Sequence, residues 1–188
     1  MDFPNNVNIS DKPLVILDRD GTVIVDKHYL SEANDVELLP HAAEGLKLLT
    51  AIGLPLVVVT NQSGVGRGFF RMQDVDAVHD RLRTILGRHQ IELAGIFVCP
   101  HAPDDGCDCR KPLSGLVRRA ARELGVNLSR TFTIGDKACD IQLGHNLGGQ
   151  TFLISNGRKD VWKAGKPPDF VVANLLAAAK IIESLVRR

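Results

Sequence analysis

The stretch LVILDRDGT at residues 14–22 joins a continuous apolar run to two acidic residues and a glycine. The apolar part, Leu14–Leu17, does not alternate with polar residues, which is typical of a strand covered on both faces of a parallel sheet. Similar runs follow at Leu56–Val59, Gly95–Val98, Thr131–Ile134 and Thr151–Ile154. Helical patterns lie between and after them, at about residues 40–52, 73–88, 115–125, 138–147 and 174–187. This alternation predicts an α/β, doubly wound fold with a mostly parallel sheet.

Composition limits the kinds of partner. The 188 residues suffice for one well-buried domain, so we expect a single domain over residues 1–188. Lys and Arg number 23 and Asp and Glu 22, so no global field favours a nucleic acid or a membrane surface. The segment Met1–Lys12 is polar, which predicts no signal peptide there, and no apolar run reaches the ~20 residues of a membrane span. Three of the four cysteines lie between positions 99 and 109, which favours metal binding in a reducing cytoplasm over disulfides.

Polar residues follow three of the predicted strands. Asp18 follows the first, Thr60 the second, and Asp136 comes directly after residues 131–135. Because the carboxyl ends of parallel strands share one edge of a sheet, where ligands bind, we expect these residues to converge on one crevice.

The segment after the first strand has the residues for phosphoryl transfer. A carboxylate such as Asp18 can attack phosphorus and form an aspartyl-phosphate, and Asp20 can protonate the leaving alkoxide and then activate water. Two carboxylates repel a phosphate dianion, so a divalent cation is required, and oxygen ligands suit magnesium. The alternative is a β-hairpin, because Asp20-Gly21 is also a strong turn signal.

Three further motifs fall near the same sheet edge. The segment TNQSG can donate hydrogen bonds to phosphoryl oxygens from Thr60, Asn61, Gln62, Ser63 and Gly64. Arg110 and Lys111 offer a planar fork and a point charge for anionic oxygens. Asp136 is a candidate metal carboxylate beside Lys137, with Asp140 a turn later. Each motif alone also fits an ordinary polar loop, a solvated basic pair or a helix cap.

The order and content of these four motifs resemble the haloacid dehalogenase (HAD) phosphatase superfamily, from Leu14 to about Ile154. The resemblance implies that Asp18 is the nucleophile and Asp20 the general acid and base. It also implies that magnesium is held by Asp18, the backbone carbonyl of Asp20 and Asp136. Thr60 and Lys111 would steady the transferring phosphoryl group. No insertion of domain size separates the motifs, so we expect no separate cap domain and specificity that comes from loops.

A second metal site is predicted between the third strand and Arg110. Cys99, His101, Cys107 and Cys109 make a complete set of three thiolates and one imidazole for a closed, structural zinc site. The alternative is a group of free buried thiols beside a surface histidine. Arg110 follows Cys109 directly, so a folded zinc loop would fix where Arg110 and Lys111 point. Cys139 stands apart and is expected to be a small core residue.

Within the superfamily the sequence resembles the D-glycero-D-manno-heptose 1,7-bisphosphate 7-phosphatase family. The similar segments are Asp18–Thr22, Asp26–Tyr29, Thr60–Phe69 and Cys99–Pro112. The resemblance implies a soluble, cytoplasmic enzyme that supplies heptose for lipopolysaccharide, capsule or S-layer. The substrate-binding residues so predicted are Asp26, Tyr29, Thr60, Asn61, Gln62, Ser63, Arg110, Lys111 and Lys137.

Other functions stay open on the sequence. Histidinol-phosphate phosphatases have a similar zinc loop, and the short stretch between His101 and Cys107 fits both types, whereas Gln62–Gly68 looks more like the heptose enzymes. A zinc-stabilised binding module without turnover would lack Asp18 or Asp20, and both are present. A phosphatase acting on nucleic-acid ends would want a basic groove, against which the near-zero net charge argues. We expect a monomer, and no residue reports the configuration at C1.

Overall fold

The computed structural model describes residues 12–157, 162 and 165–187. The strands are β1 (Leu14–Leu17), β2 (Leu56–Asn61), β3 (Gly95–Cys99), β4 (Thr131–Gly135), β5 (Gln150–Ile154) and β6 (Phe170–Val172). The helices are α1 (Ala42–Ala51), α2 (Ser63–Gly66), α3 (Met72–Arg88), α4 (Gly115–Leu124), α5 (Ala138–Asn146) and α6 (Leu175–Val186), with a 3₁₀ turn at Ala33–Asp35. The sequence-based prediction for Met1–Lys12 concerns a segment of which residues 1–11 lie outside this description.

The six strands form one sheet in the order β3-β2-β1-β4-β5-β6, and every pair is parallel. The prediction of an α/β, doubly wound fold is therefore confirmed, with a sheet that is wholly rather than mostly parallel. The hairpin alternative for Asp20-Gly21 is wrong, because β1 pairs in parallel with β2 and β4 on its two sides. β2 and β3 lie on one side of β1 and β4 to β6 on the other, so the strand order reverses between β1 and β4 at the centre of the sheet. Ligands bind at this point in open sheets.

Both faces of the sheet are covered, which explains the continuous apolar runs. Alternate residues of β1 belong to different clusters: Val15 and Leu17 pack in one, Leu14 and Ile16 in the other. The first cluster also contains buried residues of α1, α3 and α6. The second contains residues of α4 and α5. A strand buried on both sides has no polar face to alternate with.

The main differences from the predicted strands are in β2 and β6. β2 continues two residues further and pairs Thr60 with Val98 and Asn61 with Cys99. Thr60 is therefore the last residue but one of the strand and does not follow it. β6 was not predicted, because three residues are too short to give a pattern; Phe170 stacks on Phe152 at a centroid distance of 4.8 Å and holds this edge strand. Among the residues described, no helix has the length and apolar character that a membrane span needs.

Candidate active site

The ends of β1, β2 and β4 bring the predicted residues together at the central edge of the sheet. A cavity of about 280 Å³ is lined there by all of the predicted catalytic and substrate-binding residues and by four further ones. The lining includes Asp18, Asp20, Asp26, Tyr29, Thr60, Asn61, Gln62, Ser63, Arg110, Lys111, Lys137, Cys139 and Asp140 among others. Asp136 is buried and belongs to the same cluster of carboxylates as Asp18 and Asp140, both of which line the cavity.

Lys111 occupies the centre of the site. Its Nζ lies 2.6 Å from Asp18 Oδ1 and 2.8 Å from Asp140 Oδ1, and it donates to the Val59 carbonyl at 2.7 Å. Burial alone would lower the pKa of Lys111, but the carboxylates of Asp140 and Asp18 outweigh burial and raise it. Lys111 is therefore a permanent cation that lies between the carboxylates of Asp18 and Asp140.

Three carboxylates meet next to Lys111. Oxygens of Asp18, Asp136 and Asp140 all lie within 4.8 Å of one another. Burial and the neighbouring Asp18 raise the pKa of Asp140, although Lys111 opposes this shift. The three acids outnumber the two ammonium groups near them, those of Lys111 and Lys137. The excess negative charge in this buried place can be neutralised by a divalent cation. An oxygen-only donor set is the kind that magnesium prefers.

The cluster of carboxylates requires a glycine at position 21. Gly21 has φ +84°, and a Cβ at this position would stand 2.5 Å from Asp136 Oδ2. Only glycine adopts that backbone without strain and leaves room for the carboxylate. The loop is further fixed by Asn156, whose Nδ2 donates to the Gly21 carbonyl at 2.8 Å. The turn signal seen in the sequence thus serves the close approach of β1 and β4 loops.

Asp20 is held by two neighbours. Arg19 donates from Nε to Oδ2 and from a terminal nitrogen to Oδ1, both at 3.1 Å. Gln62 Nε2 donates to Asp20 Oδ2 at 2.9 Å and to Thr60 Oγ1 at 2.8 Å. The carboxylate is therefore fixed in position, while its side chain stays 15% exposed to the cavity. Such a group can exchange a proton with a bound molecule.

The segment that carries Arg110 and Lys111 is attached to β2 and to the loop that contains Cys99, His101, Cys107 and Cys109, here called the cysteine loop. Asn61 accepts from the Lys111 amide at 3.0 Å and donates to the Lys111 carbonyl at 3.2 Å. Arg110 donates to the His101 carbonyl at 3.3 Å. The sequence predicts Asn61 as a substrate-binding residue, yet both ends of its amide bind the backbone of Lys111. The peptide bond from Lys111 to Pro112 is cis.

The cysteine loop brings its four predicted ligands together. Cys99 Sγ lies 3.7 Å from Cys107 Sγ and 3.6 Å from His101 Nδ1, which in turn is 3.2 Å from Cys109 Sγ. Ligand atoms about 2.3 Å from a tetrahedral zinc are about 3.8 Å apart, so the spacing fits zinc. A disulfide needs sulfurs about 2.05 Å apart, and all four cysteines of the chain are free. Burial raises the pKa of Cys99, so a cation is needed to keep all three thiols ionised.

Charged and aromatic side chains form the rim. Lys137 Nζ lies 3.0 Å from Asp26 Oδ2, and this contact lowers the pKa of Asp26 against the opposing effect of burial. Tyr29 and Phe69 are 50% and 59% exposed and meet edge to face at a centroid distance of 4.9 Å. His28 and Tyr29 both have positive φ, which turns this loop towards the cavity. The rim thus offers cationic and apolar contacts to a bound molecule.

The sequence alone missed several members of the site. Asp140 was noted without a role, and Arg19 and His79 were assigned none. Cys139 was expected in the core, and this is wrong: it is only partly buried and lines the cavity. Burial and the nearby Asp140 raise the pKa of Cys139 to about 12, so it stays a thiol. The one signal in the sequence was the position of Arg19 between two acids. The structure buries its guanidinium completely, and a buried guanidinium must have partners.

Comparison with known proteins gives the same picture. The HAD-hydrolase-like family model matches residues 108–178. The D-glycero-beta-D-manno-heptose-1,7-bisphosphate 7-phosphatase of Bordetella bronchiseptica is 38% identical over 168 residues, which cover 88% of this chain and 94% of that protein. The enzyme of the same name from Pseudomonas aeruginosa is 37% identical over 157 residues, 83% of this chain and 88% of its own.

A solved structure is also similar. The crystal structure of D,D-heptose 1,7-bisphosphate phosphatase from B. bronchiseptica, complexed with magnesium and phosphate, superposes with a TM-score of 0.84. It is 36% identical and covers 92% of this chain and 99% of that one. Fold, site and relatives define a HAD-like hydrolase, an enzyme that cleaves phosphoric monoesters. Within that class, the chain belongs to the family of the heptose-1,7-bisphosphate 7-phosphatases.

Proposed function

We propose that this phosphatase removes the C7 phosphate of D-glycero-β-D-manno-heptose 1,7-bisphosphate through an aspartyl-phosphate on Asp18. One observation carries the substrate assignment: Arg110, held by the cysteine loop, lines the same cavity as Asp18. A bisphosphate can place one phosphate at Asp18 and the other near this guanidinium. The names of the relatives contain the same sugar as the family that the sequence resembles, and they supply the β configuration, on which the sequence was silent.

The donor sets support two metals. Asp18, Asp136 and Asp140, together with the backbone carbonyl of Asp20, would hold Mg²⁺, whose charge offsets repulsion between the acids and the phosphate. Cys99, His101, Cys107 and Cys109 would hold a structural Zn²⁺. The zinc loop would then fix Arg110, because the guanidinium bonds to the His101 carbonyl inside that loop.

The reaction follows from the positions of the side chains. Asp18 attacks phosphorus and forms an acyl phosphate, while the bond to the sugar C7 oxygen breaks. Asp20 delivers its proton to that leaving oxygen and afterwards takes a proton from the water that hydrolyses the intermediate. Lys111 and the Thr60 hydroxyl face the transferring phosphoryl oxygens, where preorganised positive charge stabilises the transition state.

Specificity would come from the rim. Lys137 and Arg110 present two cations to the second phosphate, and charge-assisted contacts of this kind are roughly twice as strong as neutral hydrogen bonds. Histidinol phosphate carries an amine and an imidazole, which these cations would repel or leave without a partner. The remaining predicted contacts are Asp26, Tyr29, Gln62 and Ser63 on the cavity wall.

Three broader features belong to the same proposal. The whole of residues 1–188 acts as one domain without a separate cap, since each strand connection described here contains only loops and at most two helical elements. The enzyme works as a monomer on a small sugar phosphate and not on nucleic acid, in keeping with a net charge of +1. It works in the cytoplasm, where reducing conditions keep the zinc-binding thiols free.

A substrate panel tests the assignment. We would measure kcat/KM for both anomers of heptose 1,7-bisphosphate, for heptose 7-phosphate and for histidinol phosphate, and follow the released phosphate by ³¹P NMR. The β-bisphosphate should be preferred, and its C1 phosphate should remain on the product. A preference for histidinol phosphate by about tenfold or more, equal to about 1.4 kcal/mol, would overturn the heptose assignment.

Two variants examine the parts of the mechanism. Asp18→Asn keeps size and shape but removes the nucleophile, so turnover should vanish while the fold is kept; activity within about tenfold of wild type would contradict a covalent step. Arg110→Ala should impair the bisphosphate much more than heptose 7-phosphate. Arg118→Ala, an exposed arginine on α4 outside the cavity, is the matched control and should leave both unchanged.

A further inference from the structure

A polar side chain lies in the apolar stripe of α3. The buried residues of this helix are Val75, Val78, His79, Leu82 and Leu86. Such a stripe packs against the core, and His79 is only 6% exposed. Buried polar groups are retained with a hydrogen-bond partner, so the partner of this imidazole indicates what it does.

The partner of His79 is Arg19, far away in the sequence. A terminal nitrogen of the guanidinium lies 2.9 Å from His79 Nε2. A guanidinium has only donors, so Nε2 accepts and the ring proton is on Nδ1. Burial and the charges of Arg19 and Arg83 lower the pKa of His79 to about 3, so the ring is neutral near pH 7. The hydrogen bond therefore has one direction, from Arg19 to His79.

The other side of the same guanidinium holds Asp20. Nε and the second terminal nitrogen of Arg19 bind the two oxygens of Asp20 in a bidentate pair. Arg19 is 0% exposed, so no solvent competes for its donors. The neutral imidazole thus supplies the fixed acceptor at the back of a side chain whose front sets the angle of the carboxylate.

We propose that His79 is a positioning residue: it anchors Arg19 so that Asp20 faces the leaving oxygen of the substrate. The inference depends on the acid role of Asp20 given under Proposed function. In the step concerned, the Asp20 proton moves to the leaving oxygen as the bond from that oxygen to phosphorus breaks. A carboxyl group that is poorly aligned transfers this proton less well, because general acid catalysis requires hydrogen-bond geometry.

The test uses a matched pair of variants and two leaving groups. His79→Gln keeps an acceptor near the position of Nε2, whereas His79→Met has the same length without an amide. Heptose 1,7-bisphosphate loses a basic alkoxide, which needs the proton. The leaving group of p-nitrophenyl phosphate is a weakly basic phenolate, which does not. The parameter is kcat/KM, which covers the steps up to departure of the leaving group.

We expect His79→Met to lower kcat/KM for the sugar phosphate by about 10- to 100-fold and for the aryl phosphate by less than about threefold. His79→Gln should recover most of the loss. Equal losses on both substrates, or no recovery by glutamine, would overturn the positioning role. That result would leave His79 as a core residue only.

Asp20→Asn separates this inference from the mechanism beneath it. If Asp20→Asn is selective for the sugar phosphate and His79→Met is not, the role of His79 is wrong while the role of Asp20 stands. If Asp20→Asn itself shows no selectivity, both the assignment of Asp20 as the acid and the inference about His79 are wrong.

A spectroscopic measurement keeps the inference testable if His79→Met does not fold. In ¹⁵N NMR of the wild-type enzyme, the ring of His79 should carry its proton on Nδ1 and stay neutral from pH 8 to about pH 5. Arg19→Lys should shift the Nε2 resonance, because the anchoring donor is lost. A proton on Nε2 at pH 7 would exclude the hydrogen bond from Arg19 and overturn the proposal.

Discussion

Replacement of Lys111 by methionine should affect both stability and catalysis. Methionine has nearly the same length, but it removes the ammonium that contacts Asp18, Asp140 and the Val59 carbonyl. All three acceptors lie in a buried region, where the side chain of Lys111 itself is 3% exposed. The substitution leaves two buried carboxylates without the cation that contacts both. Removing one partner of a buried ion pair destabilises a protein more than replacing the whole pair by apolar residues.

The magnitude follows from the number of contacts. Removing one member of a buried ion pair costs about 3–5 kcal/mol, and here one ammonium serves two carboxylates. We therefore expect Lys111→Met to lower the free energy of unfolding by about 3–5 kcal/mol in magnesium-free buffer. The value of kcat should fall by about 10²–10³, the usual effect of losing one preorganised charge at a transition state.

Urea unfolding followed by circular dichroism measures the first effect, and steady-state kinetics with saturating magnesium measures the second. Lys180→Met, an exposed lysine on α6, is the control and should change neither quantity. A destabilisation below about 1 kcal/mol, the size of one ordinary hydrogen bond, would mean that Lys111 is not the partner that neutralises these carboxylates.

Two further predictions concern pH and metals. The pKa of His79 is about 3 in the folded protein against an ordinary 6.5, so the native state binds fewer protons than the unfolded state between these values. Stability should be complete above pH 6.5 and fall by about 1.4 kcal/mol for each unit below it, so that wild type loses about 2 kcal/mol more than His79→Gln between pH 7 and pH 5. The purified enzyme should contain about one zinc per chain that persists when EDTA removes magnesium, and added magnesium should restore activity. Cys107→Ser should lower zinc content and Tm, whereas Cys139→Ser, outside the cluster, should keep the zinc; zinc-free protein from a chelator-free preparation would refute the zinc site.

Much of the site could be predicted because its position is a property of the sheet. Asp18, Thr60 and Asp136 come at or after the ends of β1, β2 and β4, and parallel strands place those ends on one edge. The zinc loop could be predicted for another reason: its four ligands are so near in sequence that local chain geometry can bring them together. In both cases the information is short in range, so the pattern of residues contains it.

Other contacts depend on how separate elements pack. The interaction of His79 with Arg19 spans 60 residues and requires a particular rotation of α3 against β1. The Lys111–Asp140 pair depends on the approach of the cysteine loop to the first turn of α5. Neither His79 nor Asp140 shows a local signal in the sequence, since a histidine within a helix and an aspartate near the start of a helix are both common.

The sequence by itself determined the class of fold, the order of the motifs and the residue types available for the proposed chemistry. Only the tertiary structure decided which acid shares Lys111 with Asp18, that Cys139 lines the cavity, and what orients Asp20. The physical reason is that strand and loop signals arise between neighbours along the chain. A buried charge network forms between surfaces that meet only after the helices have packed on the sheet.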